Sequence, residues 1–191
     1  MKKNICVFGG SVSGKEKANE DLANLVGQTI AENNFDLVFG GGESGMMGLV
    51  ASSSIRYGAK TTGIIPDFFI KEDNINTKLP NKFNTKLIIT KTMHDRKQLM
   101  YNKSEAFLVL PGGIGTLDEC FEVLTWCQLN LIKNKSIGII NFNGYWNPLI
   151  ALIKNIINQG FMSSKNLNHF EEIKDIELLK KFLIRVIRGF Q

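Results

Sequence analysis

Apolar residues follow two patterns that alternate along the chain: short continuous runs and longer segments with helical spacing. The short runs are apolar nearly throughout and rich in β-branched residues, which is typical of strands buried on both faces of a sheet. They predict strands over residues 4–8, 35–39, 61–65, 87–90, 106–110 and 136–140. Apolar residues that recur three and four positions apart predict helices over residues 16–33, 46–57, 93–103, 117–130, 147–158 and 175–188.

This alternation of strand and helix favours one parallel sheet with helices on both faces. The sequence therefore predicts an α/β fold, a Rossmann-like doubly wound sheet that residues 1–191 form as a single domain. Ligands of such sheets bind outside the carboxyl ends of the strands. One segment, residues 66–86, is too long for an ordinary connection. We expect a short helix and a loop there that overhang the ligand site.

Composition and charge narrow the class of protein. The 191 residues include 23 Lys and Arg against 18 Asp and Glu, and the net charge of +5 is spread along the chain. A spread charge fits a small anionic ligand better than nucleic acid. The apolar runs are too short for a membrane span or a signal peptide, so no membrane partner is expected. Three cysteines without C-x-x-C spacing favour a reducing cytoplasm over a disulfide framework; they are Cys6, Cys120 and Cys127.

Glycine clusters mark the predicted ligand edge of the sheet. Eleven of the 18 glycines fall in three loops, each directly after a predicted strand. Glycine lets backbone N–H groups approach a ligand closely, and the start of the following helix favours an anion. Three such loops along one edge can hold a phosphate, a ribose and a base. The loops contain Gly9, Gly10 and Gly14; Gly40, Gly41, Gly42, Gly45 and Gly48; and Gly112, Gly113 and Gly115.

The first two loops each match a phosphate-binding motif incompletely. Residues 9–15 fit G-x-x-x-x-G-K, but Glu16 stands where a P-loop needs Ser or Thr for Mg²⁺, which argues against an NTPase. A tight strand-to-helix turn is an equal alternative for this loop. Residues 40–45 contain G-x-G-x-x-G, and Asp67 follows about 20 residues later, as a dinucleotide site requires. This match to a nicotinamide dehydrogenase is weak because the loop follows the second strand rather than the first.

The third loop, residues 111–119 (P-G-G-I-G-T-L-D-E), leaves two alternatives for Glu119. Thr116 and Glu119 have the spacing of a capping box, so Glu119 can be a helix-capping residue. Alternatively, a phosphate occupies the N–H groups at the helix start, and Glu119 then lies over the sugar. Both alternatives stay open at this point.

The same stretch resembles the P-G-G-x-G-T-x-x-E motif of the Lonely Guy (LOG) family, phosphoribohydrolases that activate cytokinins and in many bacteria act on AMP-like nucleotides. Residues 40–48 (G-G-G-E-S-G-M-M-G) are similar to the family's G-G-G-x-x-G-x-M-G, and residues 93–97 (M-H-D-R-K) to its M-H-x-R-K. Further similarity at residues 122–128, 144–147 and 160–161 extends the resemblance over residues 5–161. The combination is specific, although each glycine loop alone is not.

The resemblance implies hydrolysis of a purine-type nucleoside 5'-monophosphate, AMP or an N6-prenylated cytokinin nucleotide, to free base and ribose 5-phosphate. It implies catalytic roles for Arg96 and Glu119, no metal or redox cofactor, and a homodimer or larger homo-oligomer. Glu72 is a candidate for an acid on the base side. The substrate-binding residues that it implies are Gly10, Ser11, Gly41, Gly42, Met93, Arg96, Lys97, Gly112, Gly113, Ile114, Gly115, Thr116 and Thr125.

These roles agree with the charges that develop when an N-ribosidic bond breaks. Positive charge builds on the sugar and negative charge on the departing base, so a carboxylate near the anomeric carbon and a cation near the base stabilise the transition state. Glu119 supplies the carboxylate and Arg96 the cation. Because arginine does not donate a proton, the group that protonates the base is left open by the sequence.

Simpler roles compete with these assignments. Arg96 can lie on a solvated helix surface, Met93 can pack in the core, and Thr125 can bond to its own helical turn. Cys120 and Cys127 are expected to be packed apolar side chains. A non-catalytic carrier of a nucleotide or of molybdenum cofactor on the same fold is the main rival function. The sequence gives no support to lysine decarboxylation, a label that such sequences have carried, because no lysine lies in a setting typical of pyridoxal phosphate.

Overall fold

A computed structural model describes residues 2–72, 85–132 and 135–189, apart from the side chains of residues 71, 72 and 85. Seven strands within these ranges form one parallel sheet in the spatial order 4-3-2-1-5-6-7. The predicted α/β class and doubly wound sheet are therefore confirmed. The strands are β1 (Asn4–Phe8), β2 (Asp36–Phe39), β3 (Thr61–Pro66), β4 (Thr85–Thr90), β5 (Ala106–Val109), β6 (Ile137–Ile140) and β7 (Phe170–Ile173).

Helices cover both faces of this sheet. One face carries α1 (Lys17–Glu32), α2 (Gly45–Arg56) and α7 (Ile176–Arg188). The other carries α4 (Met93–Asn102), α5 (Ile114–Gln128) and α6 (Asn147–Asn158). A short helix α3 (Asp67–Glu72) follows β3, and a 3₁₀ helix (Ser164–His169) precedes β7. None of the helices in the described ranges combines the length and the apolar character that a membrane crossing requires.

Strand β1 lies at the point where the sheet changes direction. The chain builds β2, β3 and β4 on one side of β1 and then returns to place β5, β6 and β7 on the other side. The loops after β1 and β5 therefore diverge and open a crevice, where sheets of this kind bind ligands. Backbone bonds connect the glycine loops there: the Gly10 N–H donates to the Pro111 carbonyl at 3.0 Å, and the Met46 N–H donates to the Gly10 carbonyl at 3.0 Å.

The six predicted strands and six predicted helices are all present, with end points that differ by at most three residues. Strand β7 was not predicted, because it is short and Glu171 and Glu172 interrupt its apolar pattern. Helix α5 begins at Ile114 rather than Leu117, so part of the third glycine loop forms its first turn. Helix α3 is the short helix expected after β3, whereas residues 73–84 and the Glu72 side chain lie outside the described part of the chain.

Helices α1 and α2 pack closely at Gly27. A Cβ atom at Gly27 would lie 2.4 Å from the backbone oxygen of Val50. Two hydroxyl groups bond across the same contact: Ser53 Oγ donates to the Asn24 carbonyl at 2.6 Å, and Ser54 Oγ donates to the Gly27 carbonyl at 3.1 Å. A side chain at position 27 must therefore separate the two helices.

We expect Gly27→Ala to destabilise the protein by about 1–3 kcal/mol through overpacking, which lowers the melting temperature by several degrees. Leu25→Ala is the control, because Leu25 lies on the same helix and is exposed. Thermal unfolding followed by circular dichroism measures both variants. In an uncrowded helix the same change from Gly to Ala stabilises by about 1 kcal/mol, so a raised melting temperature would contradict the close packing.

Candidate active site

A cleft of about 880 Å³ opens at the carboxyl ends of the strands. The loops and helices that follow β1 to β5 each contribute to its walls. Ten of the predicted site residues line it: Gly10, Ser11, Gly42, Met93, Arg96, Gly113, Ile114, Gly115, Thr116 and Glu119. Residues that sequence reasoning did not assign to the site also line it: Gly9, Gly40, Glu43, Ser44, Met47, Ile65, Phe69 and Asp118.

Arg96 is fixed in this cleft by three elements of the fold. Helix α4 begins after Thr92, whose Oγ1 accepts a hydrogen bond from the Asp95 N–H at 3.0 Å. One residue later, Arg96 Nε donates to the Ile64 carbonyl at 3.1 Å. Its Nη1 lies 3.3 Å from Glu119 Oε1. Arg96 is only 8% exposed, so the alternative of a solvated surface arginine is wrong.

Glu119 projects from α5 and is 5% exposed. The N-cap of α5 is Gly113, which places Thr116 and Glu119 inside the helix. The capping box that their spacing predicts therefore does not form. Burial raises the pKa of Glu119 to about 7, although the Arg96 charge lowers it. At neutral pH this carboxyl group is close to balance between its two forms, which suits a group that exchanges protons with a reacting molecule.

The start of α5 offers backbone N–H groups beside this pair. The first N–H groups of a helix have no partner within it and favour an anion. Apart from the adjoining residues and the nearby backbone of α5 itself, no described atom lies within 4 Å of a Cβ placed on Gly113 or Gly115. A phosphate can therefore approach the backbone at both positions.

Four predicted binding residues lie outside the cleft walls, and their contacts with a substrate remain predictions. Lys97 Nζ pairs with Asp118 Oδ2 and Glu122 Oε2, each at 3.0 Å. Thr125 Oγ1 donates to the Phe121 carbonyl at 2.7 Å, within its own helical turn. The other two are backbone positions in the glycine loops, Gly41 and Gly112.

A second polar network joins α4 to α5 next to the pair of Arg96 and Glu119. Glu122 accepts hydrogen bonds from Tyr101 Oη at 2.5 Å and from Lys97. Burial alone would lower the pKa of Lys97, but its bonds to Glu122 and Asp118 outweigh burial and raise that pKa. The network holds the helix of Arg96 against the helix of Glu119 and neutralises the charge of Lys97.

Apolar side chains form another part of the cleft wall. Met47 comes from α2, Ile65 from β3, Phe69 from α3 and Met93 from α4. Of these residues, only Met93 was predicted from the sequence, because the pattern of an apolar residue next to a strand end indicates a core residue. Tyr145 was also missed: its hydroxyl donates to the Gly112 carbonyl at 2.7 Å and supports the third glycine loop.

The cysteines are not part of the site chemistry. All three are buried and unbridged, and burial raises the pKa of Cys120 to about 12 and that of Cys127 to about 11. A thiol with such a pKa is inert at neutral pH. The prediction that Cys120 and Cys127 are packed apolar side chains is confirmed.

Comparison with known proteins decides the family. A family model described as "Possible lysine decarboxylase" matches residues 47–182. The Arabidopsis thaliana protein named cytokinin riboside 5'-monophosphate phosphoribohydrolase LOG7 is 39% identical over 165 residues, which are 84% of this chain and 71% of that protein. The chain belongs to the LOG family. An Oryza sativa relative, probable cytokinin riboside 5'-monophosphate phosphoribohydrolase LOGL2, is 38% identical over 84% of this chain, which spans 63% of that protein.

Solved structures show how widely this fold is shared. The molybdenum cofactor carrier protein of Chlamydomonas reinhardtii superposes with a TM-score of 0.72 over 98% of this chain and 99% of that chain, at 16% identity. The molybdenum cofactor binding protein of Rippkaea orientalis gives a TM-score of 0.70 at 19% identity, with 98% of each chain covered. At these identities the likeness concerns the fold alone. The LOG motifs, in contrast, fall on the walls of the cleft.

We expect Glu119→Gln to change the pH dependence of stability. The pKa of Glu119 rises from an ordinary 4.5 to about 7 in the folded protein. The contribution of Glu119 to the free energy of unfolding is therefore complete at pH values below the unfolded pKa. It is lost as the pH rises through the folded pKa, and the loss amounts to about 3 kcal/mol. Glutamine does not titrate. The melting temperature of the variant relative to wild type should therefore be several degrees higher at about pH 8 than at about pH 5.

Glu20→Gln is the matched control, because Glu20 is an exposed glutamate in the first turn of α1. Comparison of the two variants shows whether the pH-dependent change belongs to position 119. A loss of stability by Glu119→Gln that is equal at both pH values would instead support a purely structural role for Glu119.

Proposed function

We propose that this protein hydrolyses the N-glycosidic bond of a purine-type nucleoside 5'-monophosphate, AMP or N6-prenylated AMP, and releases the free base and ribose 5-phosphate. The observation that carries the proposal is the buried pair of Arg96 and Glu119, 3.3 Å apart, beside the open N–H groups of α5. Relatives from Arabidopsis thaliana are named as phosphoribohydrolases of this type, which supports the same reaction.

The phosphate binds at the start of α5. Arg96 is the one cation among the described lining residues, whereas Glu43, Asp118 and Glu119 are acidic. Side-chain charge alone therefore disfavours an anion in this cleft. Backbone N–H groups at a helix start compensate for that repulsion, since they bind an anion without an added cation.

Glu119 and Arg96 then act on the two sides of the breaking bond. The Glu119 carboxylate stabilises positive charge at the anomeric carbon and accepts a proton from the water whose oxygen bonds to that carbon. The bonding electrons leave with the base, where the charge of Arg96 stabilises them. Arg96 acts through its charge, since a guanidinium keeps its protons. The apolar wall that contains Phe69 and Met93 receives the base.

We also propose a homodimer or larger homo-oligomer in the cytoplasm. Exposed apolar side chains on and beside α5 and α6 support an interface there: Leu129, Leu131, Leu152 and Phe161. The buried, unbridged cysteines fit a reducing compartment.

The rival functions fit the contacts less well. A nicotinamide site would use Gly40 and Gly45 for close approach of a dinucleotide, but Arg96 and the Ser11 backbone occupy the space beside these glycines. Lysine decarboxylation through pyridoxal phosphate requires a lysine with a lowered pKa at the site, whereas the pKa of Lys97, next to the cleft, is raised. Burial lowers the pKa of Lys135, but Lys135 donates to the Tyr101 carbonyl and does not line the cleft. A non-catalytic carrier needs no carboxyl group poised near neutral pH.

We expect purified protein to release free base from AMP or from N6-prenylated AMP, detected by liquid chromatography. Glu119→Gln should lower kcat by about 10²–10³, because it removes the charge that faces the developing cation. AMP binding, measured by calorimetry, should hold or improve because an acidic group near the phosphate is removed. Tight binding of monophosphates without release of base by the wild type would favour a carrier.

Gly113→Val tests the phosphate site separately from the chemistry. The added side chain enters space that is open in the described structure, so the variant should fold, although valine at the N-cap of α5 should lower the melting temperature slightly. It covers the N–H groups at the start of α5, and AMP binding should be abolished. Retention of AMP binding by a folded variant would place the phosphate elsewhere.

A further inference from the structure

The glycines of the three loops serve different purposes, which their immediate surroundings reveal. A Cβ atom at Gly45 would lie 2.3 Å from the Ser11 backbone, and one at Gly48 would lie 2.0 Å from the Glu43 backbone. These glycines permit backbone segments to pack, and a methyl group there meets atoms that cannot yield. Gly40 differs, because its nearest atoms belong to side chains.

At Gly40, the end of β2 meets the guanidinium of Arg96. A Cβ atom at Gly40 would lie 2.1 Å from Arg96 Nη2, 3.2 Å from Arg96 Cζ and 3.2 Å from Met47 Sδ. The guanidinium thus occupies the space that any other residue's side chain would fill. Its Nε and Nη1 atoms face Ile64 and Glu119, as described above.

We propose that Gly40 is a positioning residue for Arg96: the absence of a side chain at the end of β2 lets the guanidinium sit where it faces Glu119. The guanidinium of Arg96 is therefore in contact with the end of β2, with β3 and with α5. The sequence motif suggests that Gly40 makes room for a ligand, whereas the structure assigns it to the chain's own arginine. The catalytic consequence rests on the function proposed above.

A methyl group at Gly40 should displace Arg96 without breaking the fold. The nearest atoms are the ends of flexible side chains, which can rotate away. Rotation of Arg96 takes its charge away from Glu119, and a misplacement of about 1 Å in a catalytic group costs about 10²-fold in rate. The other charges that face Glu119 stay in place: Lys97 on α4, and Asp118 and Glu122 on α5. Displacement of Arg96 alone should therefore raise the pKa of Glu119.

The test compares Gly40→Ala with Gly42→Ala, a methyl group in the same loop whose nearest atom is Met47 Cε at 3.7 Å, an ordinary contact. A ¹³C NMR titration of the glutamate carboxyl groups gives the pKa of Glu119, whose signal is assigned by its absence in Glu119→Gln. We expect the pKa of Glu119 to rise in Gly40→Ala, as in Arg96→Ala, and to stay unchanged in Gly42→Ala. An unchanged pKa in Gly40→Ala would overturn the proposal.

The double variant Gly40→Ala/Arg96→Ala separates action through Arg96 from direct contact with substrate. Gly40→Ala alone should lower kcat on AMP by about 10²-fold, but it should add no further loss when Arg96 is already alanine. Multiplied losses would show that Gly40 acts on the substrate itself. If Gly40→Ala lowers the melting temperature of the wild type, it should not lower the melting temperature of Arg96→Ala, because the clashing guanidinium is already absent there. A further loss in the double variant relative to Arg96→Ala would contradict the proposal.

The NMR result does not depend on turnover. A raised pKa of Glu119 in a protein that leaves AMP intact would therefore refute the proposed function and retain the role of Gly40.

Discussion

The arrangement of the cleft depends on one interaction, a carboxylate buried beside an arginine. Removing a carboxylate from water is costly, and the cost is met only where a partner is held in good geometry. Glu119 finds that partner in Arg96, which is itself buried and needs fixed neighbours. Strand β3 supplies the Ile64 carbonyl as a hydrogen-bond acceptor for Arg96, and Gly40 at the end of β2 leaves space for the guanidinium. The bonds of Lys97 and Tyr101 to Glu122 hold α4 against α5. The charge of Arg96 compensates only partly for the burial of the carboxylate, and the pKa of Glu119 is therefore raised.

The topology of the sheet makes this arrangement possible. Arg96 and Glu119 are far apart along the chain and lie on different helices, but both follow strands whose carboxyl ends share one edge. Three glycine loops lie at the same edge, and their glycines serve at least three purposes. Gly45 allows α2 to pack on the first loop, Gly113 leaves backbone N–H groups open, and Gly40 leaves space for a side chain. A glycine-rich motif is therefore not evidence of ligand contact at each of its positions.

The sequence predicts the fold well because buried parallel strands and amphipathic helices have distinct apolar periods. It fails where the local signal opposes the tertiary context. Strand β7 contains Glu171 and Glu172 and is identified only by its pairing with β6. The first turn of α5 contains Gly115, a poor helix former, so periodicity placed the helix start too late.

For the site, the resemblance to the LOG motifs pointed to Arg96 and Glu119 but not to the contact between them. That contact depends on how α4 and α5 pack, and the spacing of apolar residues within each helix does not indicate how two helices pack. Lys97 illustrates the same limit: it follows Arg96 directly, yet a step of one residue turns it toward the carboxylates of Asp118 and Glu122. Phe69 and Met47 line the cleft without any polar signature, so sequence reasoning cannot separate them from core residues.

The fold alone does not distinguish a hydrolase from a carrier, since molybdenum cofactor carriers superpose on nearly the whole chain. The distribution of charge in the cleft favours the hydrolase that we propose. A carrier gains affinity from groups that complement its ligand in the bound state, and a buried carboxylate near a phosphate site reduces that affinity. Such a group is favourable only where positive charge appears during a reaction, because catalysis depends on interactions that are stronger in the transition state than in the ground state. Glu119 is buried within the cleft near the helix start where we propose that the phosphate binds, and this position supports the proposed hydrolase.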